Sequence, residues 1–174
     1  MQARRFFGIV IATLVSSVSL SCIDPVHSDD VAALGNERTG VAPGPTHRPG
    51  QPCRVCHGGN GPGKPEFIIA GTVYLKRGNG LPAPGVDVII SDANRNEIRR
   101  LHSNEVGNFY VSTDDWKPGP TFPLFSSLSV GGGANPKEMQ TPIGRRGDCA
   151  FCHYGADGEK THMPPLYLTE PTAP

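Results

Sequence analysis

Apolar and polar positions divide this 174-residue chain into four stretches. Residues 6–20 are mostly apolar, 41–65 are dominated by Gly and Pro, 67–130 alternate short apolar runs with turn residues, and the remainder returns to loop composition. The third stretch predicts strands at 67–75, 86–90, 97–103, 109–113 and 122–130, each rich in β-branched or aromatic residues, with a sixth near 139–143. Lys76 to Gly80, Asp92 to Asn96 and Asn104 to Asn108 supply the turn chemistry between them. No stretch in the middle has a helical period. The expected fold is therefore mainly β: a small antiparallel β-sandwich over 67–130, flanked by irregular segments at 41–66 and 131–174. In an up-and-down arrangement an even number of strands returns the chain to the end it left, which would bring the two flanking segments together.

Both flanking segments carry the same five-residue pattern, Cys53-Arg54-Val55-Cys56-His57 and Cys149-Ala150-Phe151-Cys152-His153. C-x-x-C-H is the attachment site of a c-type haem. Two thiols at that spacing can each add to one vinyl group of a single porphyrin, and the next residue then lies beneath the iron, where histidine is the usual ligand. The pairs consume four of the five cysteines and leave only Cys22. Disulfides or a shared zinc need no histidine after the second cysteine. Zinc pairs also sit about 15–20 residues apart, whereas 93 positions separate Cys56 from Cys149. Two covalently bound c-type haems are the expected cofactors. They would be held by Cys53, Cys56, Cys149 and Cys152, with His57 and His153 as proximal iron ligands.

Compartment and charge agree with this. Arg4 and Arg5 before the apolar run, and small residues after it, give residues 1–21 the form of an export signal. The run is too short and too closely followed by polar sequence for a spanning helix. Cys22 stands where the run stops and is a candidate for lipid modification, although Ser19 and Ser21 depart from the usual residues at those places. Residues 22–40 read as a polar tether. The expected location is periplasmic or at the cell surface, with Cys22 the candidate anchor. Charge is balanced at 16 basic and 16 acidic residues, and loss of Arg4 and Arg5 with the signal leaves a net −2. With no basic stripe, nucleic acid is excluded as a partner class.

The opposite face of each iron decides function, because a second strong ligand makes an electron carrier and an open face permits small-molecule chemistry. His47 lies six residues before the first motif and His162 nine after the second, and these are the first candidates. Met139 and Met163 are the sulfur alternatives, Met163-Pro164 resembling the Met-Pro pair of many single-haem cytochromes c. His102, at the end of a predicted strand, ranks after them, and His27 falls in the tether with no assigned role.

The middle resembles a known family in Gly71-Thr72-Val73, Pro84-Gly85-Val86-Asp87-Val88, Ser91-Asp92-Ala93 and Asn104-Glu105-Val106-Gly107-Asn108-Phe109-Tyr110. Together they are similar to the carboxypeptidase regulatory-like domain, a prealbumin-like β-sandwich that is usually non-catalytic. The C-x-x-C-H ends have no counterpart there and resemble the small multihaem c-type cytochromes of bacterial periplasms and surfaces. That resemblance implies single-electron transfer with redox proteins, other cytochromes among them. Enzyme readings, a dihaem peroxidase or small reductase, and a haem-stapled surface binding or sensor protein are the alternatives. No acid/base pair stands near either motif to favour the enzyme.

Overall fold

The computed structural model describes residues 24–78, 80–133, 136–154 and 163–169. Cys22, His162 and the proposed signal lie outside the described residues. Within them the chain is mainly β, with little helix.

β1 (Phe67–Lys76), β2 (Val86–Ser91), β3 (Glu97–His102), β4 (Asn108–Ser112) and β5 (Phe125–Val130) match the five predicted strands to within a few residues at their ends. They divide between two sheets. β1 pairs antiparallel with β4 in one; β2 stands between β3 and β5 in the other. Inward side chains from both sheets, including Ile69, Val73, Val88, Ile90, Phe109 and Leu128, form one buried cluster. Such a layered pair of sheets burying one apolar face each is consistent with a β-sandwich.

The C-terminal segment does more than flank this body. β6 (Lys137–Glu138) extends the second sheet beside β5, while β7 (Gly147–Asp148) and β8 (Leu166–Thr169) both pair parallel with β1. The predicted sixth strand at 139–143 appears only as the Met139 amide on the Ser126 carbonyl and a single bridge between Leu124 and Ile143. An up-and-down order is thus replaced by one in which β1 has neighbours from three parts of the chain. The physical reason is that β7 and β8 are too short to show an alternating pattern. Their pairing comes from the exposed edge of β1 rather than from their own side chains.

Residues 22–40 include one short helix. α1 (Pro25–Ala33) is a helix whose N-cap, Asp24, accepts from the amides of Val26 and His27, with Pro25 in its first turn. Arg48 and Gln51 reach back to the carbonyls that end it, Arg48 Nη2 to Gly35 at 2.8 Å and Gln51 Nε2 to Leu34 at 3.2 Å. No described helix is long and apolar enough to cross a membrane.

Candidate functional site

Each cysteine motif forms a single helical turn, α2 (Cys53–His57) and α3 (Cys149–Cys152), and each turn lies against β1. The first is fixed by Arg54, whose Nε donates to the Phe67 carbonyl at 2.7 Å. The second is delivered by β7, whose pairing of Gly147 with Ile69 leaves Cys149 beside the strand. Gly71 permits this approach: a Cβ there would stand 2.8 Å from the Cys149 Cβ and 2.9 Å from the Phe109 ring. The two motifs touch. The Arg54 amide donates to Asp148 Oδ2 at 3.2 Å, joining the first motif to the residue that precedes the second.

The two histidines are held in the same way. His57 Nδ1 donates to the Pro65 carbonyl at 2.8 Å and His153 Nδ1 to the Pro164 carbonyl at 2.9 Å. A carbonyl can only accept, so in the neutral form of each imidazole the proton sits on Nδ1 and Nε2 is the lone-pair nitrogen. Both prolines stand two residues before a strand, Pro65 before β1 and Pro164 before β8, and these strands are neighbours. A helical turn, a loop, a proline carbonyl and a strand therefore recur as a unit, although only the five-residue motif repeats in sequence.

Around the first motif, residues 45–57 cross the outer face of β1 and β4. Asn108 Nδ2 donates to the Pro45 and His47 carbonyls, and the Gly50 amide donates to Thr72 Oγ1 at 2.8 Å. This places the His47 ring opposite His57, with centroids 5.8 Å apart and planes inclined by 52°. His47 Nδ1 is bonded to the Gly44 carbonyl, which leaves Nε2 as its free nitrogen. Two imidazoles flanking one metal, each with nitrogen about 2 Å from it, have centroids about 6 Å apart. The partly open pocket among His47, Cys53, Cys56 and His57 is only about 30 Å³, so the His47–His57 ring spacing, and not a preformed cavity, is the feature that draws attention to this place. The outer face of His57 is fixed by Phe67, stacked at 4.3 Å and 13°, and Phe67 in turn stacks on Tyr110 at 4.6 Å. A β-bulge between Phe67 and Ile69 causes this, turning Phe67 out of the core alternation and onto the face that carries Tyr110.

Beside the second motif opens a cavity of about 670 Å³, mostly apolar, bordered by Cys149, Cys152, His153, Met139, Met163 and Tyr167. That volume lies in the range of cofactor sites, about 300–1,000 Å³. Lys137, Arg145 and Arg146 also stand in its wall, Lys137 over the Tyr167 ring at 3.3 Å and Arg146 over the Phe151 ring at 3.8 Å. His153 Nε2 is buried without a hydrogen-bond partner, and burial holds the His153 pKa below its usual value, the Pro164 bond opposing. The neutral ring is the form that binds metal.

The Cys53 and Cys149 thiols are shielded and protonated in the metal-free chain. Burial pushes Cys53 and Cys149 up to about 12, with Asp148 adding to both. Among the described residues no three His, Cys, Asp or Glu side chains converge as a metal site, and Cys53, Cys56, Cys149 and Cys152 are all free thiols. Of the other ligand candidates, Met139 and Met163 border the cavity. His102 instead pairs with Asp87 at 2.7 Å on the second sheet. Sequence reasoning missed Asp148, Phe67 and Gly63. A Cβ on Gly63 would stand 2.8 Å from His57 Cε1 and 2.9 Å from both its ring nitrogens.

Comparison of the chain with protein-family models, with curated proteins and with solved structures finds no match.

Proposed function

We propose that this chain is an exported dihaem c-type cytochrome that transfers single electrons. The observation that carries the reading is the duplicated histidine: His57 and His153 each follow a C-x-x-C turn, each give Nδ1–H to a proline carbonyl, and each keep Nε2 for iron. Such outer partners fix tautomer and ring orientation and raise the basicity of a ligating histidine. Haem supplies a reversible one-electron iron couple whose potential the axial ligands and their surroundings set.

The chain's own groups then have definite tasks. Cys53, Cys56, Cys149 and Cys152 tether the two porphyrins through thioethers. His57 and His153 bind proximally, and His47 closes the far side of the first site. Arg145, in the wall of the second cavity, stands where a propionate can be paired. The Arg54–Asp148 contact holds the two sites together, so an electron can pass between them within one chain. The two-sheet body, which resembles the carboxypeptidase regulatory-like domain, is the scaffold. Redox proteins, other cytochromes among them, are the partners, and Cys22 is the candidate lipid anchor.

The test is the visible and near-infrared spectrum of the intact protein in both oxidation states, with carbon monoxide added to the reduced form. A carrier stays six-coordinate and low spin, and carbon monoxide leaves it unchanged. Rapid stoichiometric binding at either haem would contradict the carrier and favour a peroxidase, reductase or sensor.

A further inference from the structure

Asp148 stands where the two motifs meet. It directly precedes Cys149, and its Oδ2 accepts the Arg54 amide, inside the first motif, at 3.2 Å. Its charge is felt by Cys53 and by Cys149, the leading cysteine of each motif. Those two sulfurs would tether the rims of two different porphyrins, so one carboxyl lies beside both. We infer that Asp148 is a proton-binding site coupled to electron uptake, binding one proton as the haems are reduced and releasing it as they are oxidised. This rests on the dihaem reading above.

The other oxygen of Asp148 carries the argument. The side chain is wholly shielded from solvent, yet Oδ1 has no hydrogen-bond partner. Buried polar atoms are paired almost without exception, and an orphan calls for an explanation. A fixed negative charge is costly there, because burial without a full set of hydrogen bonds favours the neutral acid. Compensating charge is sparse. Arg146 Nη2 lies 3.9 Å from Oδ2, and its guanidinium is drawn over the Phe151 ring at 3.8 Å. From α2, the Arg54 guanidinium turns to the Phe67 carbonyl, and Cys53, like Cys149 of α3, has no proton to lose once it is a thioether. β1 offers only Ile69 and Ala70 where β7 pairs with it. Burial therefore outweighs Arg146 and the Arg54 amide and raises the carboxyl to about 6, where it can change charge near neutral pH.

Iron supplies the coupling. Ferric haem carries one more positive charge than ferrous haem, and in a poorly solvated site that charge favours the carboxylate over the acid. Reduction removes it: the iron gains an electron from a donor redox protein, and Asp148 gains a proton from water to become a carboxylic acid. Oxidation reverses both. The Asp148 pKa is thus higher in the reduced protein, and by linkage the reduction potential falls as pH rises between the two pKa values and is level outside them.

The experiment uses the full chain, exported with its haems, and measures reduction potentials from about pH 4 to about pH 8, a range that spans the shifted carboxyl. The parent should show the fall. Asp148→Asn keeps an acceptor for the Arg54 amide, and its potentials should be level with pH and close to the parent's low-pH values. Arg146→Gln removes the opposing cation and should move the fall to higher pH. Reduced-minus-oxidised infrared spectra of the parent should gain a carboxylic acid band that shifts in heavy water, and Asp148→Asn should lack it. The infrared and Arg146→Gln results decide the matter even if Asp148→Asn does not fold. Potentials level with pH in the parent, an unmoved fall in Arg146→Gln, a parent-like fall in Asp148→Asn, which would assign the proton to haem propionates, or no acid band on reduction would each overturn the inference. Chains that carry no haem mass would remove the dihaem reading itself, a different result from haems present whose potentials ignore Asp148.

Discussion

The amide of Arg54 and the carboxylate of Asp148 meet at 3.2 Å across 94 positions of sequence, and this contact brings the two C-x-x-C-H motifs to one place on β1. Arg54 lies inside the first C-x-x-C-H and Asp148 immediately before the second. A buried carboxylate that accepts from a main-chain amide is costly to remove, because the donor is left unsatisfied. Asp148→Ala should lower stability by about 1–3 kcal/mol, while Asp148→Asn, which can still accept, should not. Urea denaturation of the three proteins at about pH 4, where folded Asp148 keeps its proton, checks this, and equal midpoints for all would contradict it.

Asp148 also sets a pH dependence. Burial raises its carboxyl from 3.8 to about 6, against the pull of Arg146 and of the Arg54 amide. Between about pH 4 and pH 6 the folded chain therefore keeps a proton that the unfolded chain has released. Stability contributed by this group falls as pH rises through that window and is level above it. The full effect is on the order of 3 kcal/mol. Denaturation midpoints measured from pH 4 to 7 should show the fall in the parent protein relative to Asp148→Asn. A parent–variant difference that stays constant across the window would count against it.

His57 is held on its face as well as at Nδ1. Phe67 stacks on the ring, and Gly63 comes so close that any side chain would press on it. Gly63→Ala should cost about 1–3 kcal/mol through overpacking and should alter the paramagnetic resonance signal of the first haem alone. An unchanged signal, or an equal change at both haems, would show that Gly63 does not position His57.

The facing of His47 and His57 gives a matching prediction for the first site. His47→Ala should leave both haems covalently attached, open the first to carbon monoxide, and be rescued by imidazole. If only the Cys53→Ser/Cys56→Ser background abolishes the new binding, the opened iron belongs to that motif. Failure of His47→Ala to open any haem would remove His47 from the ligand set.

Much of this was legible in the chain because its signals are local. The five middle strands show as runs of Phe, Ile, Val and Tyr between turn residues, and the motifs are read directly from Cys and His spacing. His47 was within reach for the same reason. The parallel strands β7 and β8 were not, since Gly147 and Asp148 carry no hydrophobic pattern and pair only because β1 has an open edge. Nor was the repeated use of a proline carbonyl, because the loops between His57 and Pro65 and between His153 and Pro164 differ in length. α1 did leave a signal, Asp24 followed by Pro25, which is a helix start. Its lack of an apolar face left no hydrophobic pattern to go with it.

The central claim is two covalently bound haems per chain, and intact mass after acid extraction tests it most directly. The exported protein should carry the mass of two haems that acid solvent does not remove. Cys53→Ser/Cys56→Ser and Cys149→Ser/Cys152→Ser should each retain one haem, and the fourfold variant none. An exported chain whose mass is that of the polypeptide alone, with all four cysteines intact, would contradict the account.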